Sequence, residues 1–432
     1  MTLHARRLPR RLTALASYLV DPRVGLLSRV DAVRPQAGAP RFFHASARLG
    51  DTRRLPFSHQ STQLWVGAAA ASRDGAVATC LLDAVALYCG AFRLEEDVPP
   101  VPASRASFDH VAPDRFVLFS DRQHAQEDFP WPPFDDATPV SWKCVLDPVE
   151  DAVTHVPARI VYFPYAPLAG HEEAPVAPAT ATGLAAHWDP AEAAVQAVCD
   201  VLEADALVRT WQTRASPPQV RIETLSDDNY DLVARFERTG ATVTLLRLEL
   251  GPWPATFLSV LSHPNAGAPA LVFSAGTDPS EETAVRRSLE RLAHAELYCR
   301  MLHGQMPSPG EEGADDPGEI EGEAAHLRYW SEHAHRPAMD FLLASQERVE
   351  APWEEDEATD DDSRRRLDGL LRAVDVGGHR ALLADLTTPD VRGLGLTALR
   401  AVVPGLQPLF FGRAQGGDNP YPHPFPRKGG MV

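Results

Sequence analysis

Asp200 and Glu203, three residues apart, and Arg286, Glu290 and His294, spaced by four, are the side chains whose types and intervals best suit chemistry. Residues three or four apart share one face of a helix, so each set would present a stripe of charge. Thr79 and Asp83, also four apart, offer a third stripe. Oxygen ligands from several helix faces are how proteins hold Mg²⁺ against nucleotide phosphates, because the ion takes a few carboxylates plus phosphate oxygens in octahedral geometry. Any one stripe alone is more often a solvated helix face with ion pairs along it. His294, set among Leu292, Ala293 and Leu297, reads first as a structural histidine at a core boundary.

Three helices must carry these stripes. The first is expected over residues 74–88, stopping at Cys89-Gly90 as a glycine C-terminal signal. The second opens with Asp189-Pro190-Ala191-Glu192, where Asp189 caps, Pro190 suits the first helical position and Glu192 completes a capping-box-like pair. Val195, Val198, Cys199, Leu202 and Ala206 then give it one buried stripe. The third opens in the same way with Asp278-Pro279-Ser280-Glu281 and is expected to run to about Arg300. Strand-like runs at residues 158–163, 220–224, 242–250 and 269–274 alternate with the helical patterns. This mixture predicts an α/β (α+β) fold, with helices packed on mixed sheets around one large core.

The chain has 432 residues, of which 44% are hydrophobic and 23% charged, the composition of an ordinary globular protein. With 41 Lys and Arg against 59 Asp and Glu, the net charge is -18, which argues against a nucleic-acid partner. Five cysteines (Cys80, Cys89, Cys144, Cys199, Cys299) without a CxxC pair argue for reduced thiols rather than a disulfide framework or a zinc site. Residues 1–24 begin as a basic segment, but the apolar stretch at 12–20 is short and soon broken by Asp21-Pro22. No segment reaches the roughly 18 apolar residues of a membrane span. A cytoplasmic protein without a membrane partner is therefore expected. Prolines mark element boundaries, and two acidic segments, 306–323 and 354–362, read as mobile loops inserted into a domain over residues 25–426. There is no nucleophile elbow, phosphate loop, HExxH or dinucleotide fingerprint.

The order of these segments resembles the YcaO family. Residues 25–33 (GLLSRVDAV) are similar to the opening of such domains, and 78–90 (ATCLLDAVALYCG) to their first ATP-binding helix. Residues 116–123 (FVLFSDRQ), Trp142, Val156-Pro157-Ala158 and 182–186 (TGLAA) resemble the lead into the second ATP helix, here 193–211, and 284–300 resembles the third. Residues 403–408 (VPGLQP) look like the family's late turn. Pro422, Pro424 and Pro426 look like its proline-alternating tail, here within 420–432. The resemblance implies azoline formation. A Cys, Ser or Thr side chain of a precursor peptide attacks the preceding carbonyl, ATP phosphorylates the hemiorthoamide oxygen, and phosphate leaves as the ring forms. It further implies Thr79, Asp83, Asp200, Glu203, Arg286, Glu290 and His294 as the ATP positions, with Asp83, Asp200, Glu203 and Glu290 as the Mg²⁺ ligands. The three tail prolines would order the site. The implied partners are a leader-peptide-binding protein and a catalytic YcaO protein or an azoline dehydrogenase, in a homodimer or hetero-oligomer.

The sequence departs from the family pattern at these same positions. Where S-x-x-x-E-x-x-E-R is usual, it has Thr79, Asp83, Ala86 and Leu87, and a Gly- and Lys-bearing approach to phosphate is replaced by Ala68-Ala69-Ala70-Ala71-Ser72. On the second helix E-x-x-E-R becomes Asp200, Glu203 and Ala204; on the third Q-x-x-x-E-x-x-x-Q becomes Arg286, Glu290 and His294. Each missing charge-assisted contact costs about 1.5–3 kcal/mol, and about 1.4 kcal/mol is a tenfold change in affinity. Residues 427–432 also extend past the proline motif. The resulting expectation is a subunit of an azoline-forming complex, with a degenerate ATP site and a binding, scaffolding or regulatory task. The alternatives are an active cyclodehydratase, a YcaO enzyme forming thioamides or amidines, and an unrelated structural protein.

Overall fold

The computed structural model describes residues 9–33, 39–52, 64–93, 97–127, 129–168, 170–265, 269–306, 320, 322–351, 362–411, 425 and 430–431. The described chain starts with α1 (Arg10–Leu19), whose Leu12, Leu15, Ala16 and Leu19 form a buried stripe. A first group of strands follows, β1 (Leu27–Val33), β2 (Phe43–Leu49) and β3 (Trp65–Ala70), and then α2 (Arg73–Gly90). After β4 (Val98–Pro102) and the short α3 (Asp121–His124) comes the hairpin of β5 (Pro139–Asp147) and β6 (Ala152–Pro157), with α4 (Ala158–Val161) directly behind it. Next come β7 (Leu184–His187), α5 (Pro190–Gln212), β8 (Gln219–Val220), α6 (Asp227–Glu237), β9 (Thr242–Leu248), β10 (Thr256–Ser262) and β11 (Leu271–Thr277). The last described elements are α7 (Glu281–Gln305), α8 (Glu323–Trp330), β12 (Arg348–Val349), α9 (Asp362–Val376), β13 (Leu382–Asp385), α10 (Pro389–Gly393), β14 (Thr397–Val402) and β15 (Gly430–Met431).

These strands form three sheets, ordered β1-β2-β3-β15, β11-β10-β9-β8-β12, and β4-β5-β13-β14-β7 with β6 added on β5. The pairings are antiparallel except β8 with β12. The α/β expectation holds, and the three helices singled out from the sequence lie between sheets. Val77, Leu81, Ala84 and Val85 of α2 pack against Ala45 and Val66 on one side and Leu382 and Ala398 on the other. Val285, Leu289 and Leu292 of α7 pack with Phe257, Leu261 and Val272 of the second sheet and with Ala69 of β3. The predicted stripe of α5 is buried, and so are its other faces, because α9 and the third sheet cover one side and the second sheet another. That is why Asp200, Glu203 and Asp205 are buried along with the apolar residues.

Several local expectations are corrected. Residues 158–161 form α4 rather than a strand. The pairing of β6 with β5 ends at Pro157, and a short apolar run does not by itself distinguish a strand from a buried helical turn. The strand expected at 220–224 is limited to β8 and continues as a 3₁₀ turn over Ile222–Thr224. The strands expected at 242–250 and 269–274 are present as β9 and β11. Gly90 lies inside α2 and serves close packing, since a Cβ there would come within 2.8 Å of Leu184. Asp189 caps α5 by accepting from the Ala191 N–H, but Glu192 turns away from the cap to pair with Arg287 and Arg366. The cap of α7 is Ser280, accepting from the Thr283 N–H, and the helix runs on to Gln305. Asp278 instead pairs with Arg287 and Arg366, so that two carboxylates and two guanidinium groups tie α5, α7 and α9 together.

The cysteines are free thiols, four buried and Cys144 exposed on β5. Among the described residues no helix is long and apolar enough to cross a membrane. Most of both acidic segments, and Pro422, Pro424 and Pro426, lie outside the described residues. Phe425, between two of those prolines, is fully buried with its ring centroid 6.0 Å from that of Trp211 and 5.8 Å from that of Phe273.

Candidate functional site

Of the expected acids, Glu203 has the firmest partner. Both of its carboxylate oxygens lie 2.9 Å from Nη1 of Arg291 on α7, and the same Nη1 donates to the Ala275 carbonyl of β11 at 3.0 Å. Burial disfavours the charged guanidinium, but Glu203, then Asp200 and Asp83, outweigh it, and the Arg291 pKa is raised. One internal cation is thus shared by acids from α2 and α5. Asp200 also accepts from the Gly183 N–H at 2.6 Å. One turn along the same helix, Asp205 accepts from Gln407 N–H at 2.9 Å and pairs with Arg209, fastening the turn of residues 403–408 to α5. Burial, the largest influence on Asp205, raises its pKa against those donors.

The stripe expected on α7 faces elsewhere. Glu290 accepts from the Ala71 N–H at 2.9 Å, in the alanine-rich segment between β3 and α2. Burial pushes its pKa up, while that hydrogen bond and Arg286, Arg235 and Arg287 oppose the shift. Arg286 is exposed and, among the described residues, donates to Thr283 Oγ1 at 3.4 Å. His294 is buried, and among the described residues neither ring nitrogen has a hydrogen-bond partner. It lies against Gly67, where a Cβ would come within 2.0 Å of its ring. Burial first, and His44 second, push its pKa down to about 4. It is therefore a neutral packing group at neutral pH, as its apolar neighbours in sequence suggested. Thr79 is exposed on α2.

Asp83, Asp200 and Glu203 are therefore gathered around Arg291, whereas Arg286, Glu290 and His294 line the side of α7 that runs along β3. Among the described residues, no group of three His, Cys, Asp or Glu side chains is arranged to hold a metal ion. Sequence reasoning missed Arg291. The readable signal was an arginine next to Glu290 and four residues beyond Arg287, hence on the helix face toward α5. It brings a cation to Glu203, the residue next to Ala204, from a different helix.

A family model described as YcaO cyclodehydratase, ATP- and Mg²⁺-binding, matches residues 67–407. The chain belongs to the YcaO family. No curated protein matches the sequence significantly. Among solved structures, it is similar to a heterocyclase in complex with substrate and cofactor, with a TM-score of 0.74 and 17% identity over 96% of this chain. It spans only 55% of that heterocyclase. YcaO from Methanopyrus kandleri bound with AMPPCP and Mg²⁺ gives 0.64 and 17%, covering 92% of this chain and 90% of that one. The E. coli microcin synthetase McbBCD complex gives 0.57 and 12%, covering 87% and 88%. At these identities the structural likenesses establish the fold.

Proposed function

We propose that this chain is a YcaO-like subunit of a complex that installs azoline rings in a ribosomally synthesised peptide, where it binds, scaffolds or regulates rather than consumes ATP. The observation that carries this reading is the Arg291 guanidinium held among Glu203, Asp200 and Asp83. Mg²⁺ demands oxygen ligands at about 2.0–2.1 Å in near-octahedral geometry. Glu203 here is turned to a guanidinium, Asp200 to the Gly183 N–H and Glu290 to the Ala71 N–H. In this arrangement the four carboxylates named from the sequence do not fit a Mg²⁺ ion. Arg291 offsets one of the three acidic charges from within and holds both oxygens of Glu203, the oxygens that a metal–triphosphate would need. The McbBCD likeness supports a role beside other proteins, and the substrate-bound heterocyclase supports a precursor peptide as the molecule handled.

Calorimetry with Mg·ATP on the purified chain, and on Glu290→Ala, tests this. No heat of binding is expected from either protein. Micromolar binding that disappears in Glu290→Ala would overturn the reading in favour of an ATP-using cyclodehydratase or a thioamide- or amidine-forming enzyme. In a reconstituted complex, Glu203→Ala should likewise leave ring formation nearly unchanged.

A further inference from the structure

Arg400, on β14, is 4% exposed. Its Nη1 donates to the Thr180 carbonyl at 2.7 Å, but Nη2 reaches Thr180 Oγ1 only at 3.5 Å and Nε has no hydrogen-bond partner among the described residues. A guanidinium carries five donors and no acceptor. Nε and Nη2 form one edge of it, the edge a carboxylate can engage with two parallel hydrogen bonds. That edge is nearly unused here. Among the described residues no carboxylate forms an ion pair with Arg400. Asp200 acts on it electrostatically while its own hydrogen bond goes to Gly183. Burial accordingly holds the Arg400 pKa down to about 10. A buried cation with unused donors is costly unless something completes its shell.

Arg400 lines a cleft of about 80 Å³ whose other walls are mostly apolar, among them Phe116, Ile160, Val201, Ala204, Val403 and Leu406. This is about half of the ~150 Å³ that admits benzene in an engineered cavity. It has room for a short branched aliphatic group, not for a nucleotide. Val117, 39% exposed, also lines the cleft.

We propose that this cleft binds a carboxylate carried on a small branched apolar group, with the carboxylate paired to the Arg400 guanidinium and the aliphatic part between Ile160, Val201 and Leu406. The chemistry is shared by a free branched-chain acid and by the end of a peptide terminating in leucine or valine. Because no nucleotide is involved, the proposal does not depend on the fate of the Glu203–Arg291 pair.

The test is titration of the full chain, followed by NMR or calorimetry, with isovalerate and with Ala-Ala-Leu, using isovaleramide and Ala-Ala-Leu amide as neutral counterparts. At least one acid should bind, and its amide at least tenfold more weakly, because a charge-assisted pair is replaced by a neutral contact. Tighter binding of isovalerate would point to a free acid, and tighter binding of the tripeptide to a peptide terminus. Arg400→Gln should remove the preference for acid over amide. If that variant does not fold, Val117→Trp, at an exposed position, decides by closing the mouth and weakening the acid at least tenfold. Absence of binding by both acids, equal binding of acid and amide, or an acid affinity unchanged in Val117→Trp would overturn the proposal.

Discussion

Glu203 on α5 and Arg291 on α7 meet with both carboxylate oxygens 2.9 Å from one guanidinium nitrogen, and Asp200 and Asp83 add their charge to the same cation. Replacing Arg291 by methionine keeps the apolar stem and removes the charge, leaving three acids without their common cation. Because the Arg291 side chain is 26% exposed, the loss should fall below that of a fully buried pair, at about 2–3 kcal/mol in urea unfolding. Millimolar MgCl₂ should recover part of that loss in Arg291→Met and change the parent little, since a ligand stabilises only the state that binds it. Equal response of both proteins to MgCl₂ would show that Arg291 is not what occupies the acids.

Gly67 has its residue type because of His294. A methyl group at position 67 would come within 2.0 Å of the imidazole, so Gly67→Ala should cost about 1–3 kcal/mol through overpacking. In combination with His294→Ala the cost of the added methyl should largely vanish. A double-mutant cycle should then give a coupling of more than about 0.5 kcal/mol. Strict additivity would place the two residues apart.

The same histidine sets a pH dependence. Its pKa falls from 6.5 to about 4 in the folded protein, chiefly through burial. Between those values the unfolded chain binds more protons than the folded one, so this contribution to stability is complete above about pH 6.5 and is lost as pH falls towards 4. At about 1.4 kcal/mol per unit, the full contribution is on the order of 3 kcal/mol. His44 is depressed in the same direction, by burial against the pull of Glu296. Urea midpoints at pH 7 and pH 5 should therefore converge, though not coincide, in His294→Leu. An unchanged slope would mean that His294 titrates freely in the fold.

How much of this was readable in the sequence depends on the range of the interaction. Caps are local, so the cap on α5 was legible from Asp189-Pro190, and helical periodicity gave the buried side of α5. Glu192 misled because the capping-box pattern is also local, whereas its actual partners, Arg287 and Arg366, come from 95 and 174 residues away. The same applies to the site. Spacing put Asp200 and Glu203 on one helix, but the cation they share is 88 residues from Glu203 and off the stripe that was read. Glu290 satisfied the spacing and still turned to the Ala71 amide. Intervals of three and four place side chains on a face, and only the packing of α7 between β3 and the second sheet decides which face meets which partner.

Phe425 should behave as a core residue although it lies near the end of the chain. It is fully buried with Trp211, Phe273 and Leu258 in the cluster between α5 and the second sheet. Removing a buried aromatic ring forfeits its transfer energy and leaves a void, so Phe425→Ala should cost about 3–5 kcal/mol and Phe425→Leu distinctly less. The urea midpoint should fall with an unchanged slope, as expected when stability changes and the surface exposed on unfolding does not. Because the Trp211 and Phe425 rings are 6.0 Å apart, tryptophan emission should also shift to longer wavelength in the alanine variant. A loss below about 1 kcal/mol with unchanged emission would mean that the aromatic ring is not seated against Trp211 in solution.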